Sequence, residues 1–219
     1  MKTEINNGAL HPLILITLFG VCGCYNVNYA VKEKFGIHKR DILISTIESA
    51  KIKQNNASDQ FQSALDSLMQ IYQINAGELE QKYALFYKEF EESKSKAGAL
   101  KDGIKRANRV AKDLFAEWER EITEIQSTSL RTKSRSKFQT TRVRFDSLIS
   151  AFRFSEEKMG EVLVQLKDQV LYLKHNLNAS SINSLEGEVN DLQNEMIELI
   201  KRIRLSINEA DSFIGTLPE

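Results

Sequence analysis

Apolar side chains recur every three to four residues along most of this chain from residue 39 to residue 215, and polar runs interrupt them only briefly. Stepping by seven sorts them into rows. Phe138 leads to Phe145, Phe152, Met159, Leu166 and Leu173. Tyr83 leads to Phe90, Ala97, Ile104, Ala111, Trp118 and Ile125, beside a companion row of Leu79, Phe86, Ser93, Leu100, Ala107 and Leu114. Near the carboxyl end Ile182, Val189, Met196, Ile203 and Ala210 run beside Leu185, Leu192, Leu199, Ser206 and Phe213. A thinner pair holds Leu43, Ala50, Ala57, Ala64 and Ile71 with Ile47, Gln54, Phe61 and Leu68. Rows of this period are the seams of helices packed at about 20°. They predict helices over 39–74, 78–126, 130–178 and 181–215.

The breaks are short and polar. Asn75 and Glu78 have capping-box spacing, Gln126–Ser129 separates the second and third helices, and Asn178–Ser181 the third and fourth. Connections this brief force antiparallel neighbours. The expected fold is all-α: an elongated antiparallel up-down four-helix bundle over 39–219. The two middle helices are the longest, so the hairpin that joins them, about residues 113–144, is expected to project as a coiled coil beyond the first and last helices.

Composition agrees. The two prolines, Pro12 and Pro218, lie near the ends of the 219 residues, so almost the whole length lacks the strongest helix breaker. Lys+Arg and Asp+Glu number 30 each, which gives no basic surplus for general nucleic-acid binding.

The amino-terminal stretch reads as an address. Leu13–Val21 is nine nearly pure apolar residues, a signal-peptide core far short of the ~20 residues of a membrane span. Val21-Cys22-Gly23-Cys24 follows, with a small residue directly before a cysteine, and looks like a bacterial lipoprotein box. That likeness implies a leader over 1–23, lipid on the Cys24 thiol, and a tether over 24–38. Cys22 then leaves with the leader, and no other cysteine exists to complete a redox pair or a metal site. An uncleaved anchor and a secreted form without lipid are the alternatives. By analogy with enterobacterial sorting, Tyr25 after the cysteine points to the outer membrane, facing the periplasm.

Candidate chemistry is sparse. Arg131, Lys133, Arg135, Lys137, Arg142 and Arg144 form a run with no acidic residue from Leu130 to Phe145, opposite Glu117, Glu119, Glu121 and Glu124 across the expected turn. The run is either a site for phosphate-bearing lipid or another anionic polymer, or a solvated face whose charges pair across the hairpin. Gly98 and Gly160 fall at one level beside Gln54-Asn55-Asn56, which marks a bend, a close backbone approach, or a chance alignment. Gly98–Lys105 misses a phosphate-binding loop, because Lys does not follow the second Gly and the stretch lies inside a heptad helix. His38 and His175 belong to opposite ends, and no Glu-x-x-His, HExxH or GxSxG occurs. No catalytic residue, metal site or cofactor is therefore expected. Tyr87, Phe115, Phe154 and Tyr172 lie off the rows and are expected mostly in the core, with a docking face as the alternative.

Tyr29–Ile44 (YAVKEKFGIHKRDILI), Asp168–Ala179 (DQVLYLKHNLNA), Leu114–Glu119 and Glu209–Ile214 resemble the bacterial family catalogued as domain of unknown function 2959. The resemblance spans nearly the whole chain after Cys24. It implies an exported, often lipid-anchored, helical protein of Gram-negative bacteria and brings no catalytic residues. His38, Lys39, Arg40 and Asp41, with Lys174, His175 and Asn176, lie in the quoted stretches as candidate contact sites. The expected function is a non-enzymatic cell-envelope lipoprotein, a helical scaffold or adaptor. The alternative is a membrane-binding or membrane-shaping protein that contacts anionic lipid through the basic hairpin. Expected partners are a membrane, through the lipid anchor, and an envelope protein or a second copy. Neither nucleic acid nor a small-molecule substrate is expected.

Overall fold

A computed structural model describes residues 39–72, 78–178 and 186–217. The leader, Cys24, the tether with His38, the expected cap Asn75, and Ile182 and Leu185 lie outside the described residues. Four helices account for most of the rest: α1 Lys39–Tyr72, α2 Leu79–Glu124, α3 Thr128–His175 and α4 Glu186–Ile214. The chain is an all-α bundle, without a strand among the described residues.

Local chemistry fixes the helix boundaries. Between α2 and α3, Ile125 and Ser127 are extended, and the Ser127 hydroxyl accepts the Leu130 amide at 3.4 Å. Serine at this position satisfies one of the amides that a helix start leaves unpaired. Helix α3 consequently begins at Thr128, two residues earlier than the polar run implies. At its other end the Asn176 backbone amide donates to Leu173 O at 3.2 Å, and its side-chain amide donates to Tyr172 O at 2.9 Å.

Each helix packs against its two neighbours in the order α1, α2, α3, α4 and back to α1. The contacts that join α1 to α2 run from Lys39–Glu117 through Gly103–Lys53 to Gln60–Glu89, rising in one helix as they fall in the other. Between α2 and α3 they run from Trp118–Ser134 through Lys101–Glu156 to Tyr83–Val170. Between α3 and α4 they run from Phe145–Phe213 to Lys158–Glu195. Lys51–Asp211 and Gln54–Ser206 close the ring between α1 and α4. In every adjacent pair the two helices run in opposite directions.

The seven-residue rows supply most of the core, although in α2 Tyr83, Ala97, Leu114, Trp118 and Ile125 are only half-buried. All six members of the Phe138 row are buried, as are all nine named positions of α1 and every described member of the two α4 rows. Burial at this period keeps one stripe of each helix facing its neighbours along its full length. The α1–α2 contact is the tightest that the glycines report. A Cβ at Gly103 would lie 3.7 Å from Ala50 Cα and 3.3 Å from Lys53 Cδ. The close approach therefore falls at Gly103, and of the alternatives for Gly98 and Gly160 a close approach does not hold. A Cβ on Gly98 or Gly160 would meet nothing within 4 Å, because both face outward.

Two of the four aromatic residues off the rows are not core. Phe115 is buried and Tyr172 half-buried, but Tyr87 is 47% and Phe154 51% exposed. Phe154 lies under the Arg202 guanidinium, 3.9 Å from its ring centroid, a surface cation–π contact that shields one face of the ring.

One core layer is polar. Gln54 is fully buried, and its Nε2 donates to Ser206 Oγ at 2.5 Å. Ser206 donates onward to Ile203 O at 2.8 Å, and Ser155 Oγ lies 3.2 Å from Ser206 Oγ. Gln54 Oε1 is buried without a hydrogen-bond partner. Glu195 Oε2 is buried too, but it lies directly against the Lys158 ammonium and is charge-paired. Lys158 bridges Glu195 and Glu161, and the hydrogen bonds to Glu161 and then Glu195 hold its pKa above the usual lysine value.

Candidate functional site

The α2–α3 end carries the densest unexplained chemistry. It is assembled on an aromatic chain through three helices. Trp118 packs edge-on against Phe138 at 5.6 Å, Phe138 against Phe115 at 5.9 Å, Phe115 against Phe145 at 5.6 Å, and Phe145 against Phe213 of α4 at 5.6 Å. Edge-to-face geometry of this kind adds to the burial of the rings. Residues 115, 138 and 145 thus belong to the four-helix core, and the two-helix segment is shorter than the expected 113–144. Lys39, the first residue of α1, is ion-paired to Glu117 at 2.9 Å, and α2 continues only seven residues beyond it, about 10 Å. Within that extension Ile122 is fully buried, while Leu130 across the turn is 58% exposed.

The basic run divides into two stripes. Successive helix positions turn by about 100°, so Arg131, Arg135 and Arg142, spaced four and seven apart, share one flank of α3. Lys133, Lys137 and Arg144 repeat the spacing two positions on and share another. The first stripe faces α2. Arg135 reaches Glu119 at 3.7 Å, and Arg142 lines a groove of about 380 Å³ with Lys112, Glu119 and Asp146, where the charges balance. The second stripe faces the end of α4. Lys137 and Arg144 line a cavity of about 260 Å³ with Trp118, Ser136, Thr140, Thr141 and Thr216.

Pairing across the hairpin is far thinner than the facing charges of the sequence imply. Among the described residues, Arg135 is the member of the run with a carboxylate partner, and both groups of that pair are substantially exposed. Arg131, Lys133, Lys137, Arg142 and Arg144 are exposed and unpaired among the described residues. A single exposed pair contributes at most about 1 kcal/mol, so cross-hairpin attraction does not explain the run.

The cavity also draws on α4. Its last carbonyls carry the negative end of the helix dipole, and α4 has no basic residue of its own in its last turn. The chain beyond it turns back through Gly215 N to Asp211 O at 3.0 Å and Thr216 N to Phe213 O at 3.1 Å, which brings Thr216 to the cavity wall. Thr141 is buried, and its hydroxyl makes no hydrogen bond among the described residues. Trp118 Nε1 donates to Ser134 Oγ at 3.0 Å, which fixes the indole as one side of the opening. The threonines and Trp118 were missed as a group from the sequence. Only the i, i+4 spacing of Ser136, Thr140 and Arg144 and of Lys133, Lys137 and Thr141 hinted at it.

The other candidate contacts have local partners. Lys39 pairs with Glu117, and Arg40 Nε lies 3.3 Å from Asp41 Oδ1. Lys174 and His175 are exposed in the last turn of α3, where cations complement the helix dipole, and Asn176 caps that helix. Lys39 and His175 stand at opposite ends of the bundle, since Lys39 lies beside Glu117 whereas Gln169, one and a half turns before His175, accepts a hydrogen bond from Tyr72 Oη at 3.1 Å. Among the described residues no three His, Cys, Asp or Glu side chains are grouped to hold a metal ion, and no helix is long and apolar enough to cross a membrane.

Fold and site define a helical-bundle protein with a basic end. A family model described as protein of unknown function (DUF2959) matches residues 28–217, and the chain belongs to that family. No curated protein and no solved structure matches the chain.

Proposed function

We propose that the protein is a non-catalytic helical scaffold or adaptor of the cell envelope, tethered to the periplasmic face of the outer membrane through lipid on Cys24. The observation that carries this reading is the continuous seam of buried residues along α2 and α3, which holds one end of the bundle rigidly away from the other. Lys39 is fifteen residues after Cys24, a length of chain that reaches at most about 50 Å. The basic end lies beside the start of α1, where Lys39 pairs with Glu117.

Reversible crosslinking of the lipidated protein in cells, followed by its isolation, tests the reading. A stoichiometric envelope protein or a second copy held to the bundle supports a scaffold or adaptor. Recovery of anionic lipid alone refutes it and favours a second reading. In that reading the basic end itself contacts anionic lipid, and what favours it is that five of the six basic side chains are unpaired among the described residues.

A further inference from the structure

We propose that the cavity between the end of α4 and the second basic stripe is a binding site for a phosphate group, borne by a phospholipid headgroup or by a free phosphorylated solute; this rests on the second reading above and names its site.

Three features converge there. The first is charge. Lys137 and Arg144 line the cavity seven positions apart on one flank of α3, with Lys133 one turn further on, and no carboxylate lines it among the described residues. The neighbouring groove around Arg142 differs, since Glu119 and Asp146 neutralise it. An ammonium and a guanidinium with no anion between them form strong hydrogen bonds to phosphate oxygens, and the guanidinium does so bidentately. The second is the hydroxyl set. Thr141 is only 8% exposed yet has no intramolecular hydrogen bond among the described residues, so its hydroxyl remains available to a ligand in the cavity. Ser136 likewise keeps its hydroxyl unused among the described residues, whereas Thr216 already donates to Phe213 O at 2.8 Å and has no proton left for a phosphate oxygen. The third is size. About 260 Å³ lies at the lower edge of small-molecule pockets and suits a phosphate with a short substituent.

The arrangement separates two roles within one basic run. In the stripe of Arg131, Arg135 and Arg142, Arg135 meets Glu119 and Arg142 lines the charge-balanced groove. The stripe of Lys137 and Arg144 faces a cavity whose other wall is α4. A phosphate there neutralises the two cations together.

Trp118 is the single tryptophan and lines the cavity, so its fluorescence reports occupancy directly. The full chain carrying Cys24→Ser is titrated with glycerol 3-phosphate, with phosphatidylglycerol vesicles and with phosphatidylcholine vesicles. The expected result is a saturable change with glycerol 3-phosphate, with phosphatidylglycerol or with both, and none with phosphatidylcholine. Response to both assigns the site to the phosphate group itself. Response to vesicles alone assigns it to a lipid headgroup, and response to the solute alone supports the site while refuting the membrane reading. Lys137→Gln/Arg144→Gln is expected to weaken binding about tenfold or more, the loss that hydrogen bonds to charged groups carry. Arg131→Gln/Arg142→Gln is expected to leave it unchanged. Equal losses in the two variants, or vesicle binding that survives Lys137→Gln/Arg144→Gln, overturn the site. No response to either phosphate probe overturns it as well.

Discussion

Replacing Gln54 by Met should make the bundle more stable, although it removes a buried hydrogen bond. Gln54 is fully buried among α1, α3 and α4, where Nε2 donates to Ser206 Oγ at 2.5 Å and Oε1 has no partner. A buried acceptor left without a donor costs about 1–3 kcal/mol, whereas an intramolecular hydrogen bond contributes about 0.5–1.5 kcal/mol net. Methionine has a similar length, removes both terms and adds apolar contact. Ser206 is not stranded by the change, since it still donates to Ile203 O at 2.8 Å and still has Ser155 Oγ at 3.2 Å. The balance is a gain of about 0.5–1.5 kcal/mol. For a chain of this size that is a rise in melting temperature of about 1–6 °C. Thermal unfolding of the full chain carrying Cys24→Ser, followed by circular dichroism, measures it. Gln54→Ala serves as the comparison, because it removes the same orphan but leaves a cavity and should lower stability. A Gln54→Met variant less stable than its parent by 1 kcal/mol or more refutes the reasoning. It would mean that Oε1 is satisfied by a buried water, as polar core sites often are.

Other perturbations test other parts of the packing. Phe115→Ala should cost about 3–5 kcal/mol, because Phe115 is buried between Phe138 and Phe145; a loss below 1 kcal/mol by chemical denaturation would remove this end from the core. Gly98→Ala and Gly160→Ala should each stabilise by about 0.5–1 kcal/mol, since a Cβ meets nothing within 4 Å at either position; a fall in melting temperature would show that one of them holds a bend. The raised pKa of Lys158 makes a stabilising contribution that is complete below the unfolded lysine value of about 10.4 and disappears as pH rises through the higher folded value. Denaturation at pH 9 and above pH 11 should therefore show a smaller alkaline loss in Lys158→Met than in the parent, and equal losses would contradict the bridging role of Lys158 between Glu161 and Glu195.

The core was legible because burial in packed helices repeats every seven residues. The rows through Phe138 in α3 and Leu43 in α1 name buried residues without exception. What a row does not encode is the width of the buried stripe. Phe115 and Phe154 both lie off the seams, yet one enters the aromatic chain and the other stays outside under Arg202. Which of them is buried depends on where a neighbouring helix passes, and the sequence of α3 holds no record of α4. The glycines mislead for the same reason. Gly98 and Gly160 stand level but face outward, whereas Gly103 faces the small side chain of Ala50 across the α1–α2 contact. Of the candidate site, the division of the basic run into two stripes follows from its four-and-seven spacing and was open to inspection. The cavity was not, because its far wall is Thr216, more than seventy residues later in the chain. Nor did facing acidic and basic runs predict ion pairs, since contact requires matching flanks and Arg135–Glu119 is the pair within this run that has them.

The central claim is that the bundle is held at a membrane by lipid on Cys24. Mass spectrometry of the amino-terminal peptide of the protein purified from Gram-negative cells tests it most directly. The predicted result is a chain that begins at Cys24 and carries acyl chains on both its sulfur and its amino group. A chain that begins anywhere else, or that retains residues 1–23, would contradict it.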